Sequence, residues 1–379
     1  MTRVMDVPQA VSQRLEGFFT ARRAEAGEIG PHALDVIDAA AAASSGGKRL
    51  RASFLVLGFD AVPRRDEPGA TGSNSSRVDA SETDASLIGV AAALELFQAA
   101  ALVHDDLIDN SDTRRGRPAA HRALEALHRE RGWSGDAAGH GRSGAVLLGD
   151  LLVAYSDDLF EESIETVAPN RARGARRAYA TMRRDVTLGQ YLDVAEESAY
   201  ADPAWNASAG SALERALTVA SFKSARYSVQ QPLLIGAALG GADEPVAAAL
   251  ADFGLAVGMA FQLRDDLLGV FGDDEVTGKP AGDDLREGKR TALIALARDA
   301  LSASDHEALD AKLGDPSLDA RDVDDLRETI TRSGAVDALE ALIERYAEAA
   351  ERALDDAPID ADALPRLRAL ADRAIRRSA

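Results

Sequence analysis

Cysteine is absent from the 379 residues of this chain, and aromatic residues make up only 5% of it. Without cysteine there can be no disulfide, no zinc–thiolate site and no thiol nucleophile. Acidic residues outnumber basic ones by 63 to 43, for a net charge of −20. No long basic stripe offsets this acidity, so we expect no nucleic-acid partner.

Long apolar runs are also missing. The most apolar run, 233–239, is far shorter than the roughly 20 residues that cross a bilayer. The first residues, 1–6, contain no apolar signal core. We therefore expect a soluble, cytoplasmic protein with no transmembrane segment.

The spacing of the apolar residues predicts an all-α fold. Their period is close to 3.6 along most of the chain, and no run alternates β-branched or aromatic residues with polar ones. The predicted helices span about 8–26, 31–44, 48–60, 85–110, 118–130, 142–166, 171–196, 209–240, 244–271 and 288–302, with several more to 377. We find no repeat and no dividing linker, and expect one domain over 1–379, with 61–84 as a disordered insertion and 131–142 as a flexible loop.

Lysine is scarce, and its positions are therefore informative. The five lysines are Lys48, Lys223, Lys279, Lys289 and Lys312. All but Lys312 lie beside glycines or small polar residues. A compact ammonium group is suited to phosphate as a point charge, so this placement favours phosphate binding over chance surface lysines.

An acidic segment, DDLID at 105–109, is followed after four residues by RRG at 114–116. Asp105 and Asp109 are one helical turn apart, so their carboxylates leave the same face about 6 Å from each other. Mg²⁺ prefers oxygen ligands and binds with substrate phosphates, which arginines hold bidentately. The segment indicates a magnesium–diphosphate site, although in so Asp-rich a chain DDxxD alone could be a solvated helix face.

A second acidic segment, FQLRDDLLGVFG at 261–272, ends a predicted helix, and Lys279 follows it. Two Asp-rich helix ends that face each other across a helical bundle could hold Mg²⁺ ions around one diphosphate, with lysines at the rim. The two segments are therefore interpreted as the two halves of one site.

Five motifs together resemble the trans-isoprenyl diphosphate synthases, or polyprenyl synthetases. They are GGKRLR at 46–51, the acidic and arginine segments at 105–116, Gly189-Gln190 with Asp193, Lys223-Ser224, and the stretch 261–289. Within the family the chain is most similar to bacterial geranylgeranyl diphosphate synthases. The resemblance implies a single large helical bundle of the class I isoprenoid synthase type with a central cavity, about three Mg²⁺ ions per site and a homodimer.

The resemblance assigns an allylic diphosphate to the acidic segments. The Mg²⁺ ligands it implies are Asp105, Asp106, Asp109 and Asp265. The cations that would stabilise the leaving diphosphate are Arg114, Lys223, Lys279 and Lys289. Ser224 and Gln262 would lie near the allylic cation that forms when the C–O bond ionises.

Isopentenyl diphosphate, the second implied substrate, needs no metal. Its diphosphate would bind Lys48, Arg51 and Arg115. Gln98, seven residues before Asp105 and so on the same helix face, would be a further ligand. The double bond would attack the allylic cation, and the departing pyrophosphate would take the proton.

Product length is expected to depend on the helix that leads to Asp105. Ala100 and Ala101 are small, which argues against a stop at farnesyl (C15). Phe97 lies about 12 Å from Asp105 at 1.5 Å per residue, where a ring could stop the chain at geranylgeranyl (C20). An ordinary core aromatic is an equally good interpretation of Phe97.

Gly269 departs from the family pattern, which usually has a third carboxylate there. We expect activity to survive, because Asp265 is the ligand that the metal most needs. His104 is interpreted as a packing residue. Three alternatives remain: a farnesyl or longer polyprenyl product, a class I terpene cyclase, which would need a different second metal motif and no isopentenyl site, and a non-catalytic partner subunit.

Overall fold

A computed structural model describes residues 6–63, 78–200, 202, 204–205, 210–272 and 282–376. Within these ranges most residues are helical, and the only strands are two short ones that pair in one hairpin. The all-α prediction is confirmed.

The chain folds into helices of very different lengths. Those before residue 200 are α1 (Val7–Ile29), α2 (Pro31–Ala43), α3 (Leu50–Asp60), α4 (Val78–Ile108), α5 (Ala120–Glu130), α6 (Ala137–Ser163) and α7 (Pro169–Ala199). Strands β1 (Thr113–Arg114) and β2 (Arg117–Pro118) pair antiparallel between α4 and α5. The later elements are α8 (Ala212–Val219), a π-helical segment π1 (Ala220–Gln230), α9 (Gln231–Gly240), α10 (Glu244–Phe271), α11 (Asp283–Glu287), α12 (Ala292–Ala300), α13 (Ala303–Lys312), α14 (Ala320–Arg332), α15 (Ala335–Leu354) and α16 (Leu364–Ile375).

Helices begin inside both of the predicted loops, so both loops are shorter than predicted. Helix α4 begins at Val78, so 78–84 is helical, while 64–77 lies outside the described residues. Helix α6 begins at Ala137, so 137–142 is helical too. Asp136 caps α6 by accepting a hydrogen bond from the Ala138 N–H at 3.0 Å. Aspartate is a common residue at the start of a helix, but the glycines around Asp136 favour a loop in the sequence.

Helices α4 and α10 are the central helices of the bundle. Helix α4 packs against α6, α3 and α1, and α10 packs against α15 and π1. In the part of the chain that the structure describes, two helices are apolar and long enough to span a membrane, Thr83–Ile108 and Glu244–Phe271, but 78% and 56% of their most apolar windows are buried in the protein. Burial of this extent is what core helices of a bundle show.

The helix predicted over 209–240 is interrupted in its middle by π1. The wide π turn brings Lys223 close to α7, where a Cβ on Gly189 would lie 2.3 Å from the Lys223 backbone nitrogen. Only glycine allows this approach. Because π-helical turns are frequent at functional sites, π1 marks Lys223 and Ser224 as candidates for a site.

Candidate active site

A cavity of about 880 Å³ lies between α3, α4, π1 and α10 and is bounded on one side by α11. Eleven of the residues predicted for the site line it: Lys48, Arg51, Gln98, Asp105, Arg114, Arg115, Lys223, Ser224, Gln262, Asp265 and Lys289. Residues from every motif are thus brought together in one place. Lys279 falls outside the described residues, and its role stays a prediction.

Arg114 reaches from β1 back to the end of α4. Its Nε donates to Asp106 Oδ1 at 2.7 Å, and its Nη2 lies 3.3 Å from Asp105 Oδ2. The Asp106 side chain is only 4% exposed and is held by this guanidinium. Asp106 therefore positions Arg114, and its role as a metal ligand stays a prediction, whereas Asp105 lines the cavity.

Lys223 connects Asp105 to α7. Its Nζ lies 3.4 Å from Asp105 Oδ1 and 2.5 Å from Asp193 Oδ2, and Gln190 Nε2 donates to the same Asp105 oxygen at 3.2 Å. Burial by itself lowers the pKa of Lys223, but Asp105 and Asp193 outweigh it and raise the pKa to about 12. Lys223 is thus a permanent cation of the cavity.

Lys289 makes the equivalent contact with Asp109. Its Nζ lies 3.2 Å from Asp109 Oδ2 and 2.5 Å from Glu287 Oε2. Burial lowers the pKa of Lys289, and the carboxylates of Asp284, Asp109 and Glu287 more than reverse this, so its pKa is well above the ordinary value. Burial raises the pKa of Asp109, with Lys289 opposing it.

The second acidic segment turns both of its carboxylates toward the cavity from the end of α10. Gln262 Nε2 donates to Asp266 Oδ1 at 2.7 Å. Burial raises the pKa of Asp266 to about 8, and the nearby carboxylates of Asp284 and Asp265 add to this effect. The acidic side chains at the end of α10 thus disfavour one another's ionisation, and a bound cation would relieve this repulsion.

A basic wall faces this acidic end. Lys48 is exposed at the cavity rim, and Arg51 stacks over the Tyr227 ring at 4.3 Å while its Nη2 donates to Ser228 Oγ at 2.7 Å. Arg115 Nη1 donates to the Ser45 carbonyl at 3.1 Å. The three cations converge on one side of the cavity, which suits a second diphosphate.

Helix α4 contributes to the cavity with the face that carries Gln98 and Asp105, as its period predicts. Gln98 Oε1 accepts a hydrogen bond from Tyr227 at 2.6 Å. The three residues predicted to set chain length, Phe97, Ala100 and Ala101, are not among the described lining residues. Phe97 instead packs edge-on against Tyr227, so its effect on the cavity would be indirect, and its role stays a prediction.

The donors in the cavity fit a hard divalent cation. They are the carboxylate oxygens of Asp105, Asp265 and Asp284, and the buried Asp109 Oδ2 is held by the Lys289 ammonium group at 3.2 Å. No three acidic or histidine side chains in the described residues converge closely enough to form a ready-made metal site. The lysines and Arg114 hold those carboxylates instead, so a metal would have to displace them.

Four residues around the cavity had no assigned role: Asp193, Gln190, Glu287 and Asp284. Asp193 and Gln190 lie one helical turn apart on α7, a spacing that could have revealed their shared face. Arg376, which also lines the cavity, follows α16 and had no motif to reveal it.

His104 is not among the described residues that line the cavity. Its Nε2 lies 3.4 Å from the Val146 carbonyl oxygen and 3.7 Å from Asp150 Oδ1 on α6. It packs α4 against α6, as predicted.

The chain is similar in sequence and in structure to known proteins. A sequence model of the polyprenyl synthetase family matches residues 36–330. The chain is 30% identical over 312 residues to a short chain isoprenyl diphosphate synthase of Methanothermobacter thermautotrophicus, covering 82% of this chain and 81% of that one. It is 32% identical over 336 residues to a geranylfarnesyl diphosphate synthase of Natronomonas pharaonis, covering 88% and 87%.

A solved structure is similar along the whole chain. It is a geranylgeranyl pyrophosphate synthase of Corynebacterium glutamicum complexed with isoprenyl diphosphate and magnesium, 36% identical, with a TM-score of 0.87 and 100% of both chains covered. These similar proteins are named as diphosphate synthases, which favours that hypothesis over the terpene cyclase.

Proposed function

Because the chain belongs to the polyprenyl synthetase family, it is a transferase of the trans-isoprenyl diphosphate synthase type, and we propose that its main product is geranylgeranyl diphosphate. The observation that carries the C20 product is the 36% identity, over the whole chain, to the Corynebacterium glutamicum enzyme. A C25 product is the second candidate, favoured by the 32% identity to the geranylfarnesyl diphosphate synthase.

The allylic diphosphate is proposed to bind between the two acidic segments. Mg²⁺ held by Asp105, Asp109 and Asp265 would neutralise the diphosphate as the allylic C–O bond breaks. Lys223 and Lys289 lie within 3.4 Å of Asp105 and Asp109, so both ammonium groups are already aimed at the place where the charge develops. Lys279, on the same expectation, would add a third cation.

The allylic cation needs stabilisation without a nucleophile. Ser224 on π1 and Gln262 on α10 line the same cavity and offer a hydroxyl and an amide dipole. Among the described residues Ser224 has no hydrogen bond to a base that would activate it, and the amide of Gln262, which donates to Asp266, is not a nucleophile. They are proposed to stabilise the cation while the isopentenyl double bond attacks it.

The isopentenyl diphosphate is proposed to bind the basic wall of Lys48, Arg51 and Arg115. Arg51 is held by Tyr227 and Ser228, so little rotamer entropy is lost when it binds a phosphate. Gln98 stands between this wall and Asp105 on α4. The departing pyrophosphate is proposed to accept the proton that completes the new double bond.

One assay tests both the reaction class and the product length. The protein is incubated with Mg²⁺, labelled isopentenyl diphosphate and each of the C5, C10 and C15 allylic primers in turn. We expect a C20 product from every accepted primer. A main product of C15 or C25 would contradict the C20 proposal, and no condensation with any primer would contradict the enzymatic function itself.

We also propose that the protein is a cytoplasmic homodimer. Five large apolar side chains on α4, α6 and α7 are 44 to 70% exposed: Ile108, Val146, Leu147, Leu188 and Tyr191. Such exposure on neighbouring helices is typical of a face that another protein surface covers. A second copy of the chain is the proposed occupant.

Analytical ultracentrifugation tests the homodimer. Leu147→Asp places a charge in the proposed interface and should shift the protein to the monomer. Ile29→Asp is the matched control, since Ile29 is 82% exposed on α1 and is not one of the five residues of this face. A monomeric wild type, or equal dissociation of both variants, would contradict the proposal.

A further inference from the structure

Gly269 stands where the second acidic segment lacks its third carboxylate. A Cβ built on Gly269 would lie 1.9 Å from Asp284 Oδ2 and 2.5 Å from Asp284 Cγ. The carboxylate of Asp284 therefore occupies the space into which a side chain at position 269 would extend. It enters from α11, a helix that follows α10 in the chain.

We propose that Asp284 supplies the carboxylate that position 269 lacks and binds the divalent cation of the second acidic segment together with Asp265. Asp265, Gly269 and Asp284 line the same cavity. Position 269 is one helical turn after Asp265, so an aspartate there would present its carboxylate about 6 Å from that of Asp265. This inference rests on the magnesium–diphosphate site proposed above.

The surroundings of Asp284 place it between the two acidic segments. Its Oδ1 lies 3.9 Å from Lys289 Nζ, which also contacts Asp109 of the first segment. On the other side, the charge of Asp284 is felt by Asp266 of the second segment, whose pKa it raises. A carboxylate so placed adds an oxygen ligand for Mg²⁺ without any change in α10.

The backbone of α11 holds Asp284 in this place. Its carbonyl oxygen accepts hydrogen bonds from the backbone N–H groups of Gly288, which ends the helix, and of Lys289, the latter at 3.1 Å. Glycines in the left-handed conformation precede and follow the helix, at Gly282 with φ 75° and Gly288 with φ 77°. These turns fix α11 against α10 so that Asp284 faces Gly269.

The test moves the carboxylate from one position to the other. Asp284→Ala removes it, Gly269→Asp/Asp284→Ala restores it in the family's usual position, and Asp283→Ala removes the same charge from the neighbouring residue. For each protein, the melting temperature is measured against Mg²⁺ concentration in the presence of inorganic pyrophosphate. The readout is the Mg²⁺ concentration at half-maximal stabilisation, which requires no turnover.

We expect Asp284→Ala to raise this concentration about ten- to hundredfold, the usual effect of losing a group that supports a bound metal. The double variant should return close to the wild-type value, and Asp283→Ala should change it less than Asp284→Ala does. A misfolded Asp284→Ala would not be rescued by an aspartate on a different helix, so the double variant separates the loss of a ligand from the loss of structure.

Three results would overturn the inference. The first is a wild-type Mg²⁺ concentration at half-maximal stabilisation for Asp284→Ala, and the second is a double variant that needs as much Mg²⁺ as the single variant. The third is an equal increase in Asp283→Ala, which would mean that the total acidity matters and the position of the carboxylate does not. If the wild type itself gains no stability from Mg²⁺ with pyrophosphate, the proposed magnesium–diphosphate site fails and the inference fails with it.

Discussion

Replacement of Phe97 tests what limits the length of the product. The Phe97 ring is 6% exposed and meets the Tyr227 ring edge-on, with 5.8 Å between centroids. Tyr227 in turn donates its hydroxyl hydrogen to Gln98, which lines the cavity. Tyr227 thus lies between Phe97 and the side chain of Gln98 in the cavity wall, and Phe97 supports this wall from behind. In Phe97→Ala the ring of Tyr227 loses that support, and the wall can recede.

The size of the effect follows from this packing. Loss of a buried Phe side chain costs about 3–5 kcal/mol of unfolding free energy, and the edge-on ring pair accounts for about 0.5–1.5 kcal/mol of it. If the space opens to the cavity, the floor deepens by about one helical turn, roughly 5 Å. We expect products longer than C20, measured by mass spectrometry after incubation with farnesyl diphosphate and labelled isopentenyl diphosphate.

Leu96→Ala is the control for general loosening. Leu96 is fully buried on α4, and its side chain points about 100° away from that of Phe97 around the helix. It should cost about 2–5 kcal/mol and leave the product distribution unchanged. An unchanged distribution in Phe97→Ala would refute the reasoning and place the floor on another helix. Equal lengthening in both variants would show that looser packing, and not this wall, sets the length.

Three further predictions concern the site. Asp105→Ala or Asp265→Ala should nearly abolish turnover while circular dichroism stays unchanged, and wild-type rates at saturating Mg²⁺ would contradict the metal assignment. Lys48→Ala should raise KM for isopentenyl diphosphate far more than KM for the allylic primer, and equal effects would mean that the two subsites are drawn wrongly. Burial and the charge of Asp193 raise the pKa of Glu197 to about 7, so the folded state holds this proton more tightly than the unfolded state. The protonated Glu197 side chain therefore stabilises the folded state fully below about pH 4.5, and this stabilisation is lost as the pH rises to about 7. Between these pH values the melting temperature of Glu197→Gln should fall less than that of the wild type.

The order of the helices could be predicted because local signals determine it. Asp243 shows this well: its side chain accepts a hydrogen bond from the Val246 N–H at 3.3 Å and starts α10 at the predicted residue. The segment π1 could not be predicted, since the widening of the helix depends on the approach of Gly189 from another helix. The apolar period of π1 by itself fits an ordinary α-helix.

The members of the site could be predicted, but their pairings could not. Asp105, Lys223 and Lys289 are marked by motifs, and the fold brings all three to one cavity. That Lys223 pairs with Asp193 as well as with Asp105 depends on how α7 and π1 pack. The number of residues along α4 predicts how far Phe97 lies from Asp105, but an eight-residue step also turns the side chain by about 80° around the helix. Phe97 therefore lies behind the cavity wall and is not among the described residues that line the cavity.

Lys223 and Lys289 neutralise Asp105 and Asp109 at 3.4 and 3.2 Å in the structure. In the proposed magnesium–diphosphate site, a divalent cation would compete with both ammonium groups for these carboxylates, and each displaced ammonium group would need another anion within reach. The diphosphate of the substrate would be that anion, so binding of the metal and binding of the diphosphate would each favour the other. By thermodynamic reciprocity, each raises the affinity of the other by the same factor. Release of pyrophosphate and release of its metal ions at the end of a turnover would therefore be linked, and the two lysines would then return to their aspartates.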